Sequence, residues 1–183
     1  MKEIRIHGRG GQGAVTAGII LAQSLFNSGK YVQTFPIFGV ERRGAPVAAF
    51  VRVGESEILQ RYNVYTPDDV IVLDTALIDV VNVFDGLKKD GNVLLNAPAP
   101  PVLQTTHEII TLDAKEIAWE HGLGSKQAPV VNTIMVGAYL ALIEIDSEYG
   151  LRAVEKHVPD KLQANKEAFI DGYRAVADRG KLI

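Results

Sequence analysis

Polar and apolar positions along this chain keep two periods. Residues 3–7, Glu-Ile-Arg-Ile-His, alternate one by one, as a strand does when one face is buried. Glycines follow at 8, 10, 11 and 13. From Ala14 to Asn27 the apolar positions almost encircle a helix, and only Thr16, Gln23 and Asn27 form a thin polar stripe. A helix so apolar is buried on most sides, in the core or under a partner, and Ser28-Gly29 ends it with a glycine C-cap. Tyr31–Phe38 and Ala45–Val53 read as the next strands, and Gly54-Glu55-Ser56 as a hairpin turn into Glu57–Gln60. Val70–Asp74 is a continuous apolar run closed by an acid, typical of a central parallel strand. Helix-forming residues then continue to about Phe84.

Asn92–Asn96 is another short apolar strand, and the proline-rich Ala97–Pro101 forces an extended loop. Glu108–Leu112 predicts a strand and Asp113–His121 the helix after it. Asn132 or Thr133 caps a helix reaching about Glu144, apolar nearly all round, with Gly137 and Ala141 spaced to let another backbone approach. A helix over Ser147–Lys156 follows. The last begins after Pro159, with Leu162, Phe169, Tyr173 and Val176 on one face and Asn165 and Gly172 beside them; a buried asparagine there needs partners. Alternating strands and helices followed by helices predict an α/β fold: a Rossmann-like, mostly parallel sheet flanked by helices, with an antiparallel hairpin and a helical C-terminal part. At 183 residues this is one domain, 1–183, without repeat or linker.

Composition sharpens the picture by exclusion. Apolar residues make up 47% and charged residues 22%, a globular balance. No cysteine is present, so disulfides, a cysteine nucleophile, Cys-type zinc sites and thiolate-held iron–sulfur clusters are excluded. The net charge of −3 lacks the basic stripe that phosphate backbones require, which argues against nucleic acid. The longest strongly apolar run, Ile134–Ile143, is half a membrane span, and Met1-Lys2-Glu3-Ile4 leads straight into a strand without a signal peptide. Cytoplasm is the expected compartment.

Gly8-Arg9-Gly10-Gly11-Gln12-Gly13 fits G-x-G-x-x-G between a strand and a helix. Glycines permit the tight turn, the helix N-terminus offers free N–H groups to an anion, and Arg9 adds positive charge. The same glycines would also serve plain strand–helix packing. A dinucleotide site would want an acid at the end of the next strand, to hold the ribose hydroxyls. Residues 31–39 carry none before Glu41, so NAD is disfavoured; a Walker A lysine is also missing.

A second dense feature is Glu41-Arg42-Arg43-Gly44-Ala45-Pro46, after the apolar Phe35–Gly39. Two guanidinium forks there could clamp a carboxylate or phosphate, or form a solvated turn; arginines beside aromatic and proline residues resemble an interface. His7 ends the first strand beside the glycine loop, where it either faces a ligand or serves structure. Asp74 stands at a strand end where ligands bind, or caps a helix. His107, His121 and His157 have no metal-site spacing, and no nucleophile signature appears.

Ile6–Val15, Phe38–Pro46 and Ala164–Phe169 together resemble the gamma subunits of the 2-oxoacid:ferredoxin oxidoreductases, most of all the pyruvate type, over essentially the whole chain. The resemblance implies a multisubunit oxidoreductase that converts a 2-oxoacid and coenzyme A to an acyl-CoA and CO2 and passes electrons to ferredoxin or flavodoxin. It places thiamine diphosphate and iron–sulfur clusters in partner alpha, beta and delta subunits. It makes this chain a clusterless unit, inactive alone, that helps position coenzyme A and packs on the catalytic core. Gly8, Gly10, Gly11, Gln12 and Gly13 match the family's glycine loop, with Arg9 inside it. Glu41, Arg42, Arg43 and Gly44 match its second block, expected at an interface or anion contact. A stand-alone nucleotide- or CoA-binding protein is the competing reading.

Overall fold

A computed structural model describes residues 1–37, 44–103 and 105–178. The strands are β1 (Lys2–Arg9), β2 (Tyr31–Ile37), β3 (Pro46–Gly54), β4 (Asp69–Val72), β5 (Asn92–Asn96) and β6 (Ile109–Leu112). The helices are α1 (Ala14–Asn27), α2 (Ala114–Glu120), α3 (Asn132–Leu142), α4 (Ser147–His157) and α5 (Leu162–Ala177). The strands form one sheet in the order β2-β3-β1-β4-β5-β6. β1, β4, β5 and β6 are parallel neighbours, while β3 runs antiparallel to both β1 and β2.

Alternation on the strands sorts side chains into two cores. Ile4, Ile6, Val51, Ile71, Leu73 and Leu94 join the apolar faces of the helices in the larger core. Val70, Val72, Val93 and Leu95 point the other way, onto Leu77 and Val83. All five helices contribute to the first core, and α3 is buried along Asn132–Leu140. α1 leaves Ile19 and Phe26 exposed, Phe26 at 61%. Gly29 closes α1 with φ +89°, and the amides of Gly29 and Lys30 bond back to Phe26 and Leu25.

Three expectations need correction. The run after Asp74 forms only a 3-10 turn over Thr75–Leu77, followed by further turns, not a helix to Phe84. Side-chain oxygens of Asp74 and Asn82 take the amides of Ala76 and Phe84, competing with helical bonding, and Gly86 turns the chain at φ +67°. No strand forms over Glu57–Gln60. The buried Arg52 guanidinium takes the carbonyls of Gln60 and Tyr62 instead, and the antiparallel hairpin lies between β2 and β3. Neither Asn132 nor Thr133 is the cap of α3; Val131 is, and Asn132 starts the helix. The close backbone approach expected at Gly137 does occur, because the α5 backbone at Phe169 packs there.

Candidate functional site

The connection from β1 leads away through α1 to the β2 edge, whereas β4 and β5 continue on the other side of β1. The crevice beyond the carboxyl ends of β1 and β4 is therefore a topological switch point, where open α/β sheets bind ligands. The glycine loop turns the chain there. Gly11 and Gly13 hold φ +92° and +79°, and a Cβ on Gly13 would stand 2.5 Å from Asn132 Nδ2. Gly8 lets α1 settle on the strand, since its Cβ would lie 3.0 Å from the Ala14 methyl.

Side chains latch this loop to β4. Gln12 Oε1 accepts from the Arg9 amide at 2.7 Å, and Gln12 Nε2 donates to Asp74 Oδ2 at 3.0 Å. Arg9 Nε donates to the same oxygen at 2.8 Å, and Arg9 Nη1 to the Gly44 carbonyl at 3.2 Å. Burial pushes the Asp74 carboxyl up, but hydrogen bonds from Gln12, Arg9 and the Ala76 amide, with the Arg9 charge, hold it below the usual carboxylate range. Asp74 thus both caps the turn after β4 and anchors the loop. Much of Arg9 and Gln12 is occupied by the latch.

The second sequence block meets the first at this point. The Gly10 amide donates to the Ala45 carbonyl at 2.8 Å, and the Gly44 amide to the Gly10 carbonyl at 3.1 Å, extending the β1–β3 ladder. Gly44 sits at φ +85°. Glu41, Arg42 and Arg43 lie outside the described residues.

A cleft of about 260 Å³ opens beside the loop, lined among others by Gly11, Gln12, Gly13, Asp74, Asn96, Lys115 and Asn132. Asn96 ties the edge together, donating to the Leu73 carbonyl and accepting from the Ala114 amide. α1 begins here with no side-chain cap, so its first-turn amides face outward. Sequence reasoning missed Lys115 and Asn96 and read Asn132 only as a cap. Lys115 could have been found: the first turn of a helix after a parallel strand lies at the ligand-binding edge. The cleft offers amides, one ammonium and a neutralised carboxylate, which is a chemistry of binding rather than of covalent catalysis.

The other candidates disperse. His7 lies on the opposite face of the sheet from Ile6, is 9% exposed, and its Nε2 finds no hydrogen-bond partner among the described residues. Burial, with Arg5's charge adding, pushes its imidazole down to about 4. The unfolded chain, with an ordinary pKa near ~6.5, takes up a proton there before the native state does, so stability falls as pH drops from ~6.5 towards 4. Urea unfolding at pH 5 is expected to show about 2 kcal/mol less stability than at pH 7 from this group. The His7→Phe variant is expected to lose that component; an unchanged pH slope would count against it. His107 stacks on Phe84, and His121 bonds Asp171. Among the described residues no three metal-ligating side chains gather, and no helix is long and apolar enough to cross a membrane. Asn165 is satisfied by the Asp160 and Lys161 carbonyls and the Thr133 hydroxyl.

The topology also bears on the dinucleotide question. Antiparallel β3 stands between β1 and β2, so an acid ending β2 would be roughly 10 Å, two strand spacings, from β1. The missing acid and the sheet order agree.

Residues 3–175 match the family model described as pyruvate ferredoxin/flavodoxin oxidoreductase. A relative named pyruvate synthase subunit PorC, from Methanothermobacter marburgensis, is 50% identical over 98% of this chain and 100% of its own length. The pyruvate/ketoisovalerate oxidoreductases common subunit gamma of Pyrococcus abyssi is 47% identical over 80% of this chain and 82% of its own. The crystal structure of pyruvate oxidoreductase subunit PORC from Thermotoga maritima aligns with a TM-score of 0.79 at 35% identity, covering 94% of this chain and 95% of that one. These relatives are oxidoreductase subunits, which favours the subunit reading over a stand-alone binding protein. With its fold, its latched glycine loop and its sequence in agreement, the chain belongs to the pyruvate ferredoxin/flavodoxin oxidoreductase family, as a gamma-type subunit.

Proposed function

We propose that this subunit serves an enzyme that oxidises pyruvate and coenzyme A to acetyl-CoA and CO2, with two electrons leaving to ferredoxin or flavodoxin. Thiamine diphosphate and the iron–sulfur clusters belong to the partner alpha, beta and delta subunits; the absence of cysteine in this chain fits that division. The whole stretch 1–183 works as one gamma-type domain in the cytoplasm. Its contribution is an edge built from Gly8–Gly13 and Gly44 that faces an anionic part of coenzyme A and a neighbouring subunit, with Glu41, Arg42 and Arg43 at that contact.

The observation that carries this reading is the joining of both sequence blocks around one helix N-terminus. Gly10 pairs with Gly44 and Ala45, while Arg9 and Gln12 hold Asp74. The α1 amides are left open at a sheet edge suited to ligands. Latching costs conformational freedom, and a preorganised loop lowers the entropy lost when a ligand binds.

Gentle purification of the tagged chain from its native host tests the assembly. The expected result is co-purification of brown, cluster-bearing subunits with pyruvate- and CoA-dependent dye reduction. A colourless chain recovered alone, from cells that contain the other activity, would refute it. Replacing both Arg42 and Arg43 with alanine is expected to weaken that recovery, measured as subunit ratio on the tag.

A further inference from the structure

An open, largely parallel sheet is normally covered by helices on both faces. Here all five helices pack into the first core, and the second face carries only irregular segments. Leu77, Val83 and Phe84 pack over β4 and β5 there, while the β3–β4 connection, residues 55–68, is drawn onto Arg52 of β3. Three buried side-chain polar atoms find no partner among the described residues, and all belong to this side. They are Arg5 Nε, His7 Nε2 and Nδ1 of His107, which stacks on Phe84. Folded chains satisfy nearly all such atoms, so their gathering on one side marks a face less finished than the helical one.

The connection over residues 55–68 forms no helix or strand. Connections of that length are uncommon unless they carry a function. This one is pinned. The buried Arg52 guanidinium donates to the Tyr62 carbonyl at 2.6 Å and lies 5.0 Å from the Tyr62 ring centroid. Further along, backbone meets backbone, since a Cβ at Gly86 would stand 1.9 Å from the Tyr65 carbonyl oxygen. On this fixed base Leu59, Tyr62 and Tyr65 stay 70%, 59% and 67% exposed. Arg61 between them is exposed as well and has no hydrogen bond or ion pair among the described residues. Tyrosine and arginine supply much of the binding energy at protein interfaces, and holding them rigid before contact lowers the entropy lost on association.

We propose that the platform Leu59–Tyr65 on the helix-free face docks another subunit of the oxidoreductase. That subunit takes the leucine and the two tyrosine rings into apolar depressions and meets Arg61 with a carboxylate. Two observations commit the occupant. The relatives of this chain are oxidoreductase subunits, so a neighbouring subunit is the partner that its surface is built to meet. The lone Arg61 guanidinium sets the charge, because a partner covering it without an acid would desolvate an unpaired cation. The proposal rests on the subunit reading but not on the glycine loop or its cleft.

The assembled enzyme provides the test, purified through a tag on this chain with the other subunits measured against it. Leu59→Asp/Tyr65→Asp is expected to lower the co-purified subunits about tenfold or more, the size of one strong interface contact. Arg61→Glu is expected to lower them too, and no effect there would overturn the carboxylate. Phe26→Asp, a similar change at an exposed aromatic on α1, is expected to leave recovery unchanged. Undiminished subunits with the double variant, or an equal loss with Phe26→Asp, would overturn the platform. Tyrosine nitration of the parent protein needs no variant to fold. Tyr62 and Tyr65 are expected to react several-fold more slowly in the assembled enzyme than in the full chain expressed alone. An intact complex in which both react as fast as in that chain would overturn the platform alone. A parent chain recovered without any subunit would overturn it together with the subunit reading.

Discussion

Gly137→Val is expected to destabilise the folded chain by about 3 kcal/mol, at the upper end of the overpacking range. A Cβ at Gly137 would stand 2.2 Å from the Phe169 carbonyl oxygen, and one at Gly172 would stand 2.4 Å from the Ile134 carbonyl oxygen. α3 and α5 thus touch backbone to backbone at two reciprocal points, each three residues apart along its helix. Valine adds a Cβ and two methyl groups where even the Cβ has no room. α3 cannot retreat, since Asn132–Leu140 are buried against the sheet and the other helices. With a urea slope of about 2 kcal/mol/M, the unfolding midpoint should fall by roughly 1.5 M. A midpoint within error of the parent would mean that the two helices do not meet at these glycines.

Arg52→Ala is expected to cost about 3–5 kcal/mol, the range for breaking a buried ion pair by removing one partner. Arg52 is fully buried, and its Nε donates to Glu3 Oε1 at 2.7 Å. Nη1 reaches Gln33 Oε1 at 2.9 Å, and Nη2 the Tyr62 carbonyl at 2.6 Å. The guanidinium also lies over the rings of Phe35 and Tyr62, 5.2 and 5.0 Å from their centroids. Alanine would strand the carboxylate of Glu3, a buried residue, and release the chain after β3. Lysine should rescue little, because an ammonium cannot reproduce the planar fork. The double variant Arg52→Ala/Glu3→Gln should recover part of the loss by removing the stranded charge. Amide exchange around Gln60–Tyr62 should accelerate selectively. A cost below 1 kcal/mol would show that the cluster does not bind that segment to the sheet.

Where local pattern and burial agreed, elements were legible to the residue. α1 coincides with Ala14–Asn27 because its apolar surround and the Ser28-Gly29 stop are both local signals. β5 likewise coincides with Asn92–Asn96. The stretch after Asp74 misled because Leu77, Val81, Val83 and Phe84 have apolar spacing compatible with a helix. They bury instead as an irregular cover on the second face of the sheet. The hairpin after Gly54 misled for a different reason. The turn residues suit one, but the carbonyls that a second strand would use belong to Arg52, and a guanidinium eight to ten residues back leaves no trace in periodicity. Strand order was equally hidden, since the insertion of β3 between β1 and β2 is a non-local pairing.

The site divides in the same way. The glycine loop announces itself through spacing, and its place between strand and helix is what the structure has. The fate of Arg9 and Gln12 was not readable, because Asp74 lies 65 and 62 residues away along the chain. Nor was it apparent that Gly44 belongs to the loop's own edge until β1 and β3 were seen to pair through Arg9 and Pro46. Lys115 and Asn132 come from separate helices and share no motif. Only the parallel sheet, by aligning helix N-termini at one edge, brings them to Gly13.

The central claim is that the glycine-loop edge of this subunit acts on coenzyme A in an enzyme whose redox centres lie in other chains. Gly11 lines the cleft and holds φ +92°, a backbone conformation that valine adopts only under strain, so valine there distorts the loop at the cleft's edge. The most direct measurement is the KM for coenzyme A and for pyruvate in the assembled enzyme carrying Gly11→Val, with subunit ratios confirming assembly. The account predicts a KM for coenzyme A raised about tenfold while that for pyruvate stays near the parent value, one hydrogen-bond-sized contribution being about 1.4 kcal/mol. An intact complex with an unchanged dependence on coenzyme A would contradict it.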